Sequence, residues 1–382
     1  MYLRELTFRE NEGQAIEWLI DNVHLEKINL IVGQNSSGKT RTLNALTELV
    51  EMLTGSVNVP KVVGKYRVVF EEEGREVILE FEYDNGVILS EKLTWAGEEL
   101  MHRMSDGSGE IVYMGGKERI SLAFGIATNQ MACFAKRDKL QHPYLESIYT
   151  WARDMRRFDF SGNMGKDQYT LKNVFEEEEV NFMDTRASLV PVLHLAMEQF
   201  EGFKDQLVDD MNEIGYKLID VGIVRFSEKN SRSQQDRFAV YTTEAGLEKQ
   251  VTQRDMSQGM FRAFSVLARV NRYILKGKTG CVIIDDIGEG LDFSRAKLLV
   301  KLLVKKAETS GIQLIMSTND SFIMNTVAIE KWAVLQREGN KISLYNYKNS
   351  KEIFEEFKFT GLNNFDFFAS EFFKSGFSDQ PE

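Results

Sequence analysis

Cysteine is scarce in this chain of 382 residues: Cys133 and Cys281 stand alone and far apart. That excludes a disulfide framework or a zinc site built on clustered thiols and points to a reducing compartment, the cytoplasm. Basic residues are in deficit, 47 Lys and Arg against 58 Asp and Glu, for a formal net charge of −11. A surface with that balance opposes non-specific attraction to nucleic acid. Two short stretches run against it, Lys136–Lys139 and Arg153–Arg157, though a solvated helix face explains both more cheaply than a basic patch. No run of about 18 apolar residues occurs, so no membrane span is expected. The first residues, Met1–Arg9, alternate like a strand and lack the apolar stretch of a secretory signal, so they are expected to belong to the fold. There is no internal repeat and no sustained heptad pattern.

What is present centres on Gly33–Thr40, Gly-Gln-Asn-Ser-Ser-Gly-Lys-Thr. An apolar run, Lys27–Val32, precedes it as a buried parallel strand would, and Arg41–Leu53 follows with leucines at helical spacing. Strand, glycine-rich loop and helix together are the context that makes this pattern a P-loop. Its backbone N–H groups and the helix N-terminus converge on phosphate oxygens. Lys39 is expected between the β- and γ-phosphates and the Thr40 hydroxyl on Mg2+. Gly33, Asn35, Ser36, Ser37, Gly38 and Arg41 complete the nucleotide-holding set.

Along the chain, residues 2–9 and 23–32 read as two strands leading into this loop. From about 65 to 113 the pattern becomes short alternating runs broken at Glu73-Gly74 and Asp84-Asn85-Gly86, an antiparallel meander inserted in an α/β unit. A helix is expected at 143–157, a loop at 161–166 and mostly helical structure over 167–215. Within it the acidic run Glu176–Glu179 reads as solvated surface, and Leu189, Val192, Leu193, Ala196, Met197 and Phe200 as one buried stripe. Strands at 217–226 and 237–242 flank a polar, mobile loop, 228–236.

A second cluster of chemistry begins at Gly280. Four apolar residues, Cys281–Ile284, end in Asp285 and Asp286, as in a buried strand delivering a carboxylate at the edge where α/β sheets bind ligands. Asp285 is then expected to hold Mg2+ through water or directly, and Asp286 to orient or deprotonate the attacking water. About 28 residues earlier, Ser257, Gln258 and Gly259 open a helix and make another anion site or a plain N-cap. One nucleotide does not need two such helix starts, so each is expected to serve a different copy of the chain. Asn319, ending the apolar run from Gln313, reaches the γ-phosphate or the water, or caps the next segment.

The combination of the P-loop, Ser257–Arg262, the strand ending in Asp285 and Gly288–Asp292 resembles ABC-type ATPases of the SMC/RecF/OLD-like branch (AAA-15/AAA-21, AbiEii-like) over nearly the whole chain. Two further stretches share the likeness, His142–Trp151 before Phe158–Phe160 and the phrase from Thr360 to Phe368. The resemblance implies an α/β fold: a P-loop ATPase head with an antiparallel β subdomain and a helical insert. It is divided here as 1–155 (first part of the head), 156–215 (insert), 216–350 (second part) and 351–382 (a Phe-rich tail). It implies ATP and Mg2+ as cofactors and a homodimer sandwiching two ATP molecules, with Ser257, Gln258 and Gly259 facing the P-loop of the other subunit. Gly288–Asp292 would be the D-loop, with Glu289 a substitute base, and Gln130 or Asn129 the Q-loop residue.

Two positions depart from the family. Asp286 stands where Glu is usual and Asn319 where His is usual, which implies slow hydrolysis. No nuclease-type acidic cluster follows Asn319. The resemblance therefore implies a nucleotide-gated sensor or scaffold controlling a separately encoded nuclease or toxin in bacterial anti-phage defence. A DNA-repair or DNA-end-binding ATPase is the alternative, and a non-hydrolysing structural module a third.

Overall fold

The computed structural model describes residues 1–116, 119–171, 184–226, 237–247 and 249–377. They form two compact units, Met1–Met155 with Ala328–Glu382, and Arg156–Val327.

The first unit begins with strands β1 (Tyr2–Glu10), β2 (Trp18–His24) and β3 (Ile28–Val32). The single strand expected over 23–32 is in fact the end of β2, a turn at Leu25–Lys27, and β3. A strand at 18–22 was not anticipated, because its alternation is masked by Asp21 and Asn22. All five residues of β3 are buried, as its unbroken apolar run requires. Helix α1 (Lys39–Thr54) buries Leu43, Leu46, Leu49, Val50 and Leu53 on one side and stops at Gly55, whose φ of 68° suits a left-handed cap.

The meander follows as β4 (Gly64–Glu72), β5 (Arg75–Asp84), β6 (Val87–Trp95), β7 (Glu98–Arg103), β8 (Ser108–Tyr113) and β9 (Ile120–Gly125), each antiparallel to the next. Asn85-Gly86 turns with positive φ at both residues, as a two-residue hairpin demands, and Ala96-Gly97 does the same. Tyr66 stacks between Phe8 (centroids 4.4 Å apart) and Phe81 (4.9 Å), tying the meander to β1. Short α2 (Ala132–Ala135) and α3 (Pro143–Asp154) complete this stretch.

The second unit starts with β10 (Arg156–Asp159), a strand where the end of a helix and the opening of a helical insert were expected. Its residues pair in parallel with a strand far ahead in the chain, a partner that local periodicity does not reveal. After β11 (Thr170–Leu171) come α4 (Val190–Gln199) and α5 (Phe203–Glu213). The acidic run 176–179 and the loop 228–236 lie outside the described residues. Strands β12 (Leu218–Phe226), β13 (Arg237–Glu244) and β14 (Val251–Thr252) form a small antiparallel sheet with β11. Helix α6 (Gln258–Leu275) is buried along most of its length. Then come β15 (Cys281–Asp285), α7 (Phe293–Thr309), β16 (Gln313–Thr318) and α8 (Ser321–Met324). Within this unit β15 lies between β10 and β16, parallel to both.

The chain then returns to the first unit. β17 (Trp332–Glu338) pairs in parallel with β3, and β18 (Lys341–Asn346) with β2. Helices α9 (Lys351–Lys358) and α10 (Asn364–Ala369) follow. Residues 351–377 belong to this unit, with their phenylalanines packed into its core. Phe354, Phe357, Phe367, Phe372 and Phe373 are buried, with Phe367 centred 4.6 Å from Phe354 and 5.0 Å from Phe357.

Candidate functional site

In the first unit, β3 and α1 hold the loop 33–38 between them. A Cβ on Gly33 would fall 2.4 Å from Ser37 Oγ and 2.8 Å from the Leu335 carbonyl, so only glycine permits the loop's entry from β3. Gly38 has φ of 95°, and a Cβ there would meet Ile342 at 2.2 Å. Ser36 also takes a left-handed conformation, φ 65°, unusual for a residue with a side chain. These turns leave Gln34, Asn35, Ser36 and Thr40 exposed at the mouth of the loop. Lys39 lies beneath them, only 6% exposed, its Nζ donating to the carbonyls of Gly33 (2.7 Å) and Gln34 (3.1 Å). Ser37 is buried too, and its Oγ has no hydrogen-bond partner among the described residues. A close-fitting backbone cradle, an orphaned buried hydroxyl and an exposed Thr40 hydroxyl one step into the helix together fit a nucleotide's phosphates with a divalent cation.

Arg41 packs on Trp18, a residue that itself borders Gly38 of the loop. Its guanidinium lies 3.9 Å from the centre of the Trp18 ring and is paired with Glu10. Arg337 approaches the same ring at 4.7 Å. Gln34–Ser37 also line a cavity of about 490 Å³ whose other walls include Arg337, Phe368 and Phe373. Sequence reasoning did not connect the C-terminal phenylalanines with the P-loop, because more than 300 residues separate them. Asn129 and Gln130 are exposed in the turn beyond β9.

In the second unit the C-terminal ends of three parallel strands bring polar groups together, where α/β sheets bind ligands. Asp159 ends β10 in register with Asp285, which ends β15, and Ser317 stands near the end of β16. Asp285 is 3% exposed, and both its oxygens are engaged. Ser317 Oγ donates to Oδ1 at 2.6 Å, and Arg157 Nη2 donates to Oδ2 at 2.9 Å. The same Ser317 hydroxyl accepts from the Asp286 backbone N–H at 2.9 Å. Asp286 is left-handed, φ 51°, and half-buried, so the chain turns sharply as it leaves the strand. Asn319 is exposed just past β16, and the Asp320 side chain, not that of Asn319, caps α8.

Ser257 is the N-cap of α6, its Oγ accepting from Met260 N at 3.2 Å; Ser257 and Gln258 are exposed. Gly259 is buried, because a Cβ there would lie 2.2 Å from the Gly290 carbonyl. Arg262 strengthens this approach. Its Nη1 donates to the Glu289 carbonyl at 2.8 Å, and its Nε and Nη2 reach the Gly162 and Ser161 carbonyls at 3.2 and 3.3 Å. The start of α6 and the segment 288–292 are thus one rigid piece. The Glu289 side chain is exposed, and what the fold uses is its carbonyl.

Sequence reasoning missed Arg157 and Ser317. Ser317 carried no motif. Arg157 had been read as part of a basic stretch; its charge is answered by Asp285, and that of Arg137 by Glu146 at 3.0 Å.

Residues 175–325 match the family model described as "AAA domain, putative AbiEii toxin, Type IV TA system". Among solved structures, the chain is similar to the SmcHead bound to the C-winged helix domain of ScpA, at 14% identity and a TM-score of 0.55, covering 92% of this chain and all of that one. It is also similar to the Smc head domain with an extended coiled coil bound to the C-terminal domain of ScpA derived from Pyrococcus furiosus, at 13% identity and a TM-score of 0.54, covering 94% and 99%. No curated protein matches the sequence. The fold shown by these likenesses is that of SMC head domains. Residues 175–325 are similar to an AbiEii-like AAA domain. Among the described residues, no helix is long and apolar enough to cross a membrane.

Proposed function

We propose that the chain is a nucleotide-gated ATPase head that binds ATP with Mg2+ and closes on a second copy of itself. The observation that carries this reading is the P-loop: glycine-only turns at Gly33 and Gly38, an outward row of Asn35, Ser36 and Thr40, and Lys39 held on the loop's own carbonyls. In this reading Lys39 turns from those carbonyls to the β- and γ-phosphates, while Thr40 and Asp285 hold the cation. The chemistry the cation supplies is neutralisation of charge on the transferred phosphoryl oxygens. Asp286 orients the attacking water, with Asn319 beside the γ-phosphate. One methylene fewer than Glu, and an Asn that takes up no proton, make turnover slow, since general-base positioning contributes on the order of 10²–10⁴-fold.

The exposed Ser257-Gln258 helix start supports a head-to-tail dimer, in which each copy completes the other's triphosphate pocket. Its rigid link through Arg262 to 288–292 gives closure a single moving piece. Solved heads of similar fold are described as bound to ScpA domains, which supports a separately encoded protein partner here. A nuclease or toxin in anti-phage defence is the partner we infer. The DNA-end-binding alternative gains no support from the net charge of −11.

Light scattering with a non-hydrolysable ATP analogue and Mg2+ tests the dimer. The wild type should double in mass, Lys39→Ala should bind no analogue, and Ser257→Arg should bind it yet stay at one chain. A Ser257→Arg variant that doubles normally would sink the shared-pocket reading.

A further inference from the structure

Arg157 has no role in the reading above, yet it makes the most direct ionic contact of the candidate cation ligand. Asp285 and Arg157 form an ion pair whose side chains are 4% and 19% exposed, with Nη2 at 2.9 Å from Oδ2. Strand register explains the geometry. Arg157 lies opposite Ile283, and Asp159 opposite Asp285, so 157 and 159 share one face of the sheet with 283 and 285. The arginine stem runs up that face to reach the carboxylate. The other carboxylate oxygen accepts from Ser317, so each oxygen of Asp285 carries one donor and keeps further lone-pair capacity.

A buried carboxylate without a cation nearby is costly. Arg157 meets that need. A guanidinium already paired with Oδ2 repels a divalent ion drawn to the same carboxylate and competes with it for that negative charge. Resting on the nucleotide reading, we propose that Arg157 is the resident counter-ion of Asp285. Its charge competes with the divalent ion for that carboxylate, whether the ion is held directly or through water, and it thereby sets the Mg2+ concentration at which the site loads.

The test uses the full chain and two probes: binding of a fluorescent ATP analogue across a Mg2+ titration, and Mn2+ alone followed by electron paramagnetic resonance. Arg157→Ala should lower the Mg2+ midpoint by about tenfold and tighten Mn2+ binding in step, since the competing charge is gone. Arg157→Lys, which keeps the charge, should stay near the wild type. Melting in EDTA should show Arg157→Ala destabilised, with the gap closing in saturating Mg2+ and analogue; a purely structural pin would leave it open. Should the alanine variant fail to fold, Arg157→Gln keeps the donor without the charge and should show the same fall in midpoint. An unchanged or raised midpoint in the neutral variants, with normal analogue binding by the wild type, overturns this proposal alone. A wild type that binds no analogue at any Mg2+ concentration overturns it together with the nucleotide reading.

Discussion

Ser317→Ala is the sharpest probe of how the second unit holds its acidic strand end. The serine is fully buried, and its hydroxyl serves two groups at once, donating to Asp285 Oδ1 at 2.6 Å and accepting from Asp286 N–H at 2.9 Å. A hydrogen bond to an ionised acceptor contributes about 1.5–3 kcal/mol, and a buried donor left without a partner costs about 1–3 kcal/mol. Asp286 is only half-buried, so water recovers part of the second amount, and a total near 3 kcal/mol is expected. For a unit of this size that lowers its melting transition by roughly 6–12 °C. Differential scanning calorimetry of the wild type, Ser317→Ala, Asp285→Asn and the double variant separates the charge-assisted part. With the carboxylate made an amide, the serine change should cost about 1–2 kcal/mol less than it does alone. A single-variant loss under about 0.5 kcal/mol, or strict additivity in the cycle, would refute the idea that Ser317 anchors Asp285.

Two further predictions concern the first unit. Phe367, fully buried among Phe354, Phe357 and Trp332, should cost about 3–5 kcal/mol when changed to Ala, read from urea unfolding; a loss below about 1 kcal/mol would mean the C-terminal helices do not share this core. Glu48 accepts from Tyr83 (2.7 Å) and Tyr66 (3.3 Å), but burial outweighs these bonds and lifts its carboxyl above the ordinary glutamate range. A raised folded value favours the protonated form, so its stabilising contribution is full below about pH 4 and is lost as pH climbs through the folded value. Glu48→Gln should therefore melt like the wild type at acid pH and progressively above it toward pH 8; a gap that does not change with pH would contradict that sign.

The P-loop was legible because its chemistry is local. Eight consecutive residues carry the glycines, lysine and threonine, and the flanking periodicities announce a strand and a helix. The hairpins of the meander were legible for the same reason, since a two-residue turn needs residues that accept positive φ, and Asn85-Gly86 supplies them. Cys281–Asp285 announced itself as a strand through its apolar run, and Ser257 as a helix start through its capping hydroxyl. The α/β head fold was expected from the family resemblance that these local signals carry together.

Only the tertiary structure decided what meets across long stretches of chain. Arg157 looks in sequence like one of several surface cations, and becomes the partner of a carboxylate 128 residues on because β10 adds itself beside β15. Ser317 carries no signal of its own; its role exists because strand register sets it beside Asp285 and Asp286. The C-terminal phenylalanines read in sequence as packing on the core or on a partner, and only the fold sets Phe368 and Phe373 at the wall of the cavity beside Gln34–Ser37. Periodicity and turn chemistry are fixed by residues a few positions apart. Ion pairs and registers are fixed by burial across the whole fold, which a linear pattern does not encode.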